Sequence, residues 1–363
     1  MRTVFCSLLL IASSLWLGVA HATSVVFLSP GSASETYWAS YSGFMQAAAK
    51  ELGMSLQVRY SNRDSQAMVA QAREALFGVD RPEYLMFVNE TFAGPEILRL
   101  SRHSTVKLFA VSNSLTPDQI KMLGNLHDNF PHWIGSLTGN DEEGGYLMAS
   151  ELIRLNGPVA PGQTIDMLAF SGASFTPAAQ RREAGLERAL AEHPEVRLRQ
   201  MVHGGWERER AAEQARLLFN RYPETRLVWS ANDEMAFGAM AALRETGRIP
   251  GKDVLFSALN SSNEALHALL DGSLSVLTGG QFTLGGWAMV VLHDYDATRP
   301  ELRKDIGPRQ ARMLQMIDSR EAQRLLSAGQ EPGYGVKFRD YSLTGKPASS
   351  DYHFSLKSLQ PGR

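Results

Sequence analysis

Residues 228–239 read Val-Trp-Ser-Ala-Asn-Asp-Glu-Met-Ala-Phe-Gly-Ala, an apolar run that ends on Asn232-Asp233 and passes at once into small residues with helical spacing. Val228 and Trp229 fit the end of a buried parallel strand, and Asp233 is placed to cap the helix beside it. In a doubly wound α/β sheet, ligands bind beyond the carboxyl ends of the strands. Asn232 sits at such an end, and its amide both donates and accepts hydrogen bonds. The alternative is that Asn232 and Asp233 do no more than cap the helix. The remaining sequence bears on which reading holds.

From Ser24 the chain alternates short apolar runs with helical patterns. Strands are expected at Val25–Leu28, Leu56–Tyr60, Tyr84–Val88 and Val106–Val111, with helices at Tyr37–Leu52 and Asn62–Leu76. A second series follows His132-Trp133-Ile134-Gly135. It has strands at Ile165–Phe170, Val196–Val202, Leu227–Ser230, Val254–Leu259 and Leu274–Gly280. Helices at Glu142–Asn156, Ala178–Glu192, Glu207–Asn220, Met235–Thr246 and Leu284–Tyr295 separate or follow them. Strands spaced by helices of this length indicate βαβ units and parallel sheets. Two α/β series are therefore expected, divided near residues 135–140. Past Pro300, Met313–Ile317 reads as a strand and Ser319–Ala328 as a helix capped by Ser319, with a weakly ordered extension from Gly345.

The N-terminus reads as an export signal: Arg2, a largely apolar run from Val4 to Val19, and Ala20-His21-Ala22 as a cleavage site. Cleavage after Ala22 would leave 341 of the 363 residues. No Cys follows the site, so a lipoprotein anchor is not expected, and no later stretch reaches about 18 apolar residues. The single cysteine, Cys6, falls in the signal, so the mature chain would be exported without disulfides and would depend on a large core. Without Arg2 the 36 basic residues become 35 against 38 acidic, a net charge of −3. With no basic cluster, that balance argues against a nucleic-acid partner.

An exported, disulfide-free, two-lobed α/β chain with Asn232-Asp233-Glu234-Met235 resembles the type I periplasmic solute-binding proteins, in pattern nearest the ribose-binding proteins and the autoinducer-2 receptor. The resemblance covers about residues 24–330. Ser34-Glu35-Thr36-Tyr37-Trp38 follows the first strand, where the family places aromatics against a sugar ring. Arg182-Glu183-Ala184-Gly185-Leu186 resembles the family's Arg-x-x-Gly-Phe helix start, and Gly205-Trp206-Glu207-Arg208 the loop before the next helix. Leu259-Asn260-Ser261 stands in place of Phe-Asp-Gly, and Gln281 in place of a hinge glutamine that touches ligand.

The resemblance implies two doubly wound parallel-sheet lobes joined by a three-crossing hinge, with the ligand cleft between them. The N-lobe would be 24–135 plus about 282–307 and the C-lobe 136–281 plus about 308–330, leaving 331–363 as an extension. It implies capture of a small polar, sugar-like ligand in the periplasm for an ABC-type importer. The alternative is a sensing module that regulates a membrane-bound signalling receptor, and in either role a monomer is expected.

A hydroxyl-rich ligand needs fixed polar groups at its edge and an aromatic surface against its face. The candidate contacts are Tyr37, Trp38, Asn113, Arg182, Asn232, Asp233, Asn260 and Gln281. Each has a competing structural reading. Tyr37 and Trp38 could be helix packing, Asn113 a turn residue before Thr116-Pro117, and Arg182 the partner of Glu183 or Glu187. Gln180 could take the place of Arg182, and Asn140 and Asp141 read first as helix caps. Trp206 fits core or cleft, whereas Trp229 reads as core. The candidate contacts are largely uncharged, which favours a neutral ligand. The autoinducer-2 receptor holds borate with two arginines; Gly280 or Gln281 stands where the second would be, which argues against borate capture.

No His-Glu-x-x-His, Gly-x-Ser-x-Gly, Gly-x-Gly-x-x-Gly or phosphate loop is present, and the nine histidines have no metal-ligand spacing. No catalysis, cofactor or metal is expected. A sugar-responsive repressor shares this lobe architecture but would carry a helix-turn-helix segment where this chain has its export signal.

Overall fold

In the computed structural model, which describes residues 22–298, 306–347 and 349–359, the two α/β series form two six-stranded sheets. The first series runs β1 (Ser24–Ser29), α1 (Thr36–Leu52), β2 (Ser55–Tyr60), α2 (Ser65–Phe77), β3 (Tyr84–Phe87), α3 (Gly94–Ser101), β4 (Lys107–Ser112), α4 (Pro117–Leu123), α5 (Leu126–Asn129) and β5 (Trp133–Gly139). The second runs α6 (Asp141–Asn156), β6 (Ile165–Ser171), α7 (Pro177–Glu192), β7 (Val196–His203), α8 (Arg208–Arg221), β8 (Leu227–Ser230), α9 (Asp233–Glu245), β9 (Leu255–Leu259), α10 (Asn263–Asp271) and β10 (Val276–Gly279). Then come α11 (Leu284–Ala297), β11 (Gly307–Ala311), β12 (Gln315–Met316) and α12 (Ser319–Ala328). The export-signal reading falls on residues 1–21, outside the described residues.

The strand orders are β11-β5-β4-β3-β1-β2 and β12-β10-β9-β8-β6-β7, the same winding twice. Every pairing is parallel except β10 with β12. Sheets of this kind are covered by helices on both faces, which is why β3 is a continuous buried apolar run and β6 is buried along its whole length rather than on alternate residues. Trp229 on β8 is fully buried, and its indole N–H donates to the Gly145 carbonyl at 3.1 Å, so its reading as core holds.

The chain passes between the sheets three times: from β5 to α6, from β10 to α11, and from β11 to β12. Both β5 and β11 stay in the first sheet for four residues beyond positions 135 and 307. The first and third passages are tied together. The Asn140 amide donates to the Leu314 carbonyl at 3.1 Å and accepts from the Leu314 N–H at 2.9 Å. Asn140 therefore makes no cap bond to α6, contrary to its sequence reading.

Helices α6 and α7 pack backbone to backbone through two glycines. A Cβ on Gly185 would lie 2.0 Å from the Glu142 carbonyl oxygen, and one on Gly145 would lie 2.1 Å from that of Arg182. Neither obstacle is a side chain that can rotate away. Gly185→Ala is expected to cost about 1–3 kcal/mol by overpacking, toward the upper end. Urea unfolding of the variant checks this, and a loss under about 0.5 kcal/mol, the usual scatter of neutral surface changes, would show that the helices separate freely.

The described residues past α12 are packed, including those beyond Gly345 where a weakly ordered extension is expected. Their short 3-10 turns at Pro332–Gly335, Phe338–Tyr341 and Leu356–Ser358 bury Phe338, Leu356 and Leu359. Phe354 stacks on Trp287 of α11 at 4.8 Å and 15°. Asp318, rather than Ser319, caps α12 by accepting from the Glu321 N–H at 2.7 Å.

Candidate functional site

A cavity of about 680 Å³ lies between the two sheets, and all eight candidate contacts line it. The reason is topological. Trp38 follows β1, Arg63 β2, Glu90 β3, Asn113 β4, Asp141 β5, Trp206 β7, Asn232 β8, Asn260 β9 and Gln281 β10, so the wall is built from the carboxyl ends of parallel strands.

On the second sheet's side, Arg182 is buried and paired. Its Nε donates to Asp141 Oδ1 at 2.9 Å, a terminal nitrogen lies 2.8 Å from the same oxygen, and the other donates to the Ala231 carbonyl at 2.8 Å. Its guanidinium lies 5.5 Å from the centre of the Trp206 ring, a cation–π contact that places Trp206 in the cavity wall. Neither Glu183 nor Glu187 is its partner. Gln180 is exposed, donates to the Ser174 carbonyl and does not line the cavity.

Asn232, not Asp233, is the cap of α9. Its Oδ1 accepts from the Met235 N–H at 2.9 Å and its Nδ2 donates to the Trp206 carbonyl at 3.1 Å, so it caps the helix and fixes the Trp206 loop while lining the cavity. Asp233 accepts instead from Asn260 Nδ2 at 2.7 Å, Ser262 Oγ at 2.5 Å and the Glu234 N–H at 3.0 Å. Burial raises its carboxyl above the usual range against these bonds. Gln281 Nε2 donates to Asn260 Oδ1, completing a chain from the hinge to α9.

On the first sheet's side, Trp38 is 4% exposed and packs on Tyr41 at 5.4 Å, so it serves the core as well as the wall. Tyr37 meets it edge-on at 4.9 Å, and burial raises the Tyr37 hydroxyl pKa. Asn113 is not spent on the following turn, because Thr116 and Gln119 form the capping box of α4. Arg63 bridges Glu35 and Glu90, a triad from three loops that the sequence reading did not foresee. Burial raises the Glu90 carboxyl, and the Arg63 charge opposes the shift. Its sequence signal was faint: Arg63 and Glu90 each follow a predicted strand, but charged loop residues are common there.

Three cavity-lining residues carry a buried polar atom without a hydrogen-bond partner: Asn113 Oδ1, Gln281 Oε1 and Trp206 Nε1. Two are acceptors and one is a donor. Phe92 after β3 and Phe175 after β6 lie with ring centres 6.5 Å apart, one from each lobe. Among the described residues, no group of three His, Cys, Asp or Glu is arranged to hold a metal.

A family profile described as a periplasmic binding protein domain matches residues 135–296. A periplasmic sugar-binding protein from Pseudomonas fluorescens, known from its crystal structure, is 54% identical. The match covers 93% of this chain and 99% of that one, at a TM-score of 0.84. The chain belongs to the type I periplasmic binding protein family. Two further matches are more distant. The galactofuranose-binding protein YtfQ of Escherichia coli K12 is 22% identical over 278 residues, 74% of this chain and 81% of that one. The binding component of the arabinose ABC transporter from Shewanella sp. ANA-3, solved with L-arabinofuranose, is 19% identical over 92% of this chain and all of that one. With a TM-score of 0.70 it shares the fold. Members of the family bind solutes and are not enzymes, and the cavity of this binding protein is built accordingly, from amides, paired charges and aromatic rings.

Proposed function

We propose that this binding protein captures a neutral, hydroxyl-rich, sugar-like ligand between its lobes in the periplasm and presents it to the membrane permease of an ABC-type importer. The observation that carries the reading is the set of unpartnered atoms on Asn113, Gln281 and Trp206. Leaving a buried polar atom unpaired costs about 1–3 kcal/mol, and hydroxyls, which donate and accept, suit two acceptors and a donor. Charge narrows the class. The arginines lining the cavity, Arg63, Arg182 and Arg208, are each paired with a carboxylate, which leaves no cation for an anionic ligand. The names of the relatives, which refer to sugars and to import, favour transport over a signalling role.

The moving bodies in this reading are residues 24–139 with 284–298 and 306–311 and residues 140–280 with 312–328, and the protein acts as a monomer. Closure would be a hinge motion at the three passages, with Tyr37, Trp38, Asn113, Arg182, Asn232, Asp233, Asn260 and Gln281 around the ligand.

A thermal-shift screen of the chain from Thr23 against pentoses, hexoses, polyols, sugar phosphates and amino acids tests this. A neutral sugar or polyol at 100 times its dissociation constant is expected to add about 2.7 kcal/mol of stability. Small-angle scattering should then show a smaller radius of gyration with that ligand. Stabilisation by sugar phosphates or amino acids alone would overturn the reading.

A further inference from the structure

Tyr334 lies beyond the region in which the sequence resembles the family, yet it lines the cavity. It arrives on the 3-10 turn Pro332–Gly335 and rests against Phe282, the residue after Gln281, with ring centres 4.9 Å apart. Its backbone is in the left-handed region, at φ 55° and ψ 33°, between Gly333 at φ 61° and Gly335 at φ 67°. A bulky residue rarely adopts that conformation, and such outliers gather at ligand sites. The turn is held by bonds from the Tyr334 N–H to Glu331 and from the Val336 N–H to Gly333. It is also seated on α1: a Cβ on Gly333 would lie 2.7 Å from Ala47 Cβ. The backbone is thus fixed in a form whose effect is to turn one aromatic side chain inward at the hinge end of the cavity.

We propose that Tyr334, delivered by the C-terminal segment, contacts the bound sugar through its hydroxyl and walls off the hinge end of the cleft, so that the site admits a monosaccharide and excludes a longer sugar. Packing alone does not call for the hydroxyl. The ring's neighbours are the aromatic residues Phe282 and Phe44, against which a phenylalanine would pack equally well. Among the described residues no group hydrogen-bonds the hydroxyl, and burial raises its pKa, so at neutral pH it is an uncharged donor and acceptor. Gln281, the residue before Phe282, lines the same cavity with an Oε1 that also lacks a partner.

This inference rests on the sugar-binding reading above. Its test is calorimetric titration of wild type, Tyr334→Phe and Tyr334→Ala with D-ribose, L-arabinose, D-galactose and D-allose, and with the disaccharide lactose. Tyr334→Phe keeps the ring, so its unliganded melting temperature should match wild type while the best monosaccharide binds about tenfold more weakly, the loss of one hydrogen bond. Tyr334→Ala should lose more and narrow the preference for that monosaccharide over lactose. Unchanged affinity and rank order in Tyr334→Phe would overturn the role of the hydroxyl, and an unchanged preference in Tyr334→Ala would overturn the wall. If wild type binds none of these sugars, this inference fails, while the broader reading is decided by the thermal-shift screen.

Discussion

Arg182→Gln is expected to destabilise the fold by about 3–5 kcal/mol and to abolish ligand capture, because it strands a buried carboxylate. The Arg182 and Asp141 side chains are only 8% and 7% exposed, and among the described residues Arg182 is the cation paired with that carboxylate. The substitution also removes a donor from the Ala231 carbonyl. Adding Asp141→Asn removes the stranded charge, and the double variant should recover more than half of the lost stability, since a neutral pair can replace a buried ionic one at little cost. Urea unfolding of the two single variants and the double gives the coupling directly. A single-variant loss below about 1 kcal/mol, the range of exposed pairs, would mean that water reaches Asp141 and that the pair is not structural. The pair also changes what Arg182 can report about the ligand. An unpaired guanidinium would distinguish an anion from a neutral sugar when neutralised. Committed to Asp141, it shapes the wall for either, so ligand charge has to be tested with the ligands themselves.

The sequence made the positions around the cleft legible better than their roles. All eight candidates reach one cavity because short apolar runs mark parallel strands and the next few residues must lie at the carboxyl ends. Asn232 and Asp233 show the limit. Both are good caps, they differ by one residue, and only the three-dimensional register puts the cap bond on Asn232 and sends Asp233 toward Asn260 and Ser262. Arg63, Glu35 and Glu90 were illegible as a triad because they come from three loops, and Asn62 and Arg63 take left-handed backbone conformations that nothing local announces. Helix α10 is absent from the expected elements because it has only nine residues, between two strong strand signals. The extension was misread for another reason. Its composition is polar, but its few apolar residues find partners far away in sequence, as Phe354 does on Trp287.

Asp294→Ala should release the end of that extension while leaving ligand binding in place. Near the end of α11, the Asp294 carboxylate accepts from the Ser342 hydroxyl, the Leu343 N–H at 2.6 Å, Thr344 Oγ1 at 3.0 Å and the Tyr352 hydroxyl at 3.0 Å. Were the segment to stay docked without it, each orphaned donor would cost about 1–3 kcal/mol. Water offers a cheaper outcome. Residues from about Leu343 onward should detach and hydrate, so the measured loss is capped at the docking free energy of the segment, of order 2–4 kcal/mol for a few charge-assisted bonds. Limited proteolysis followed by mass measurement should find new cuts between Leu343 and Tyr352; an unchanged cleavage pattern would show that ring stacking alone holds the segment. Acid should act in the same direction. Burial by itself would raise the Asp294 carboxyl, but the donors from His293, Ser342, Leu343 and Thr344 outweigh it and hold the pKa below the ordinary value. A carboxyl depressed in the folded state stabilises fully above its unfolded pKa of about 3.9 and loses that contribution as pH falls through the folded value, so wild type should acquire the same cuts only at still lower pH. Tyr334 precedes this latch and is anchored separately on Phe282, close to buried Phe338. Sugar affinity should therefore survive Asp294→Ala while falling in Tyr334→Phe, which separates the anchoring of the extension from its contribution to the cleft.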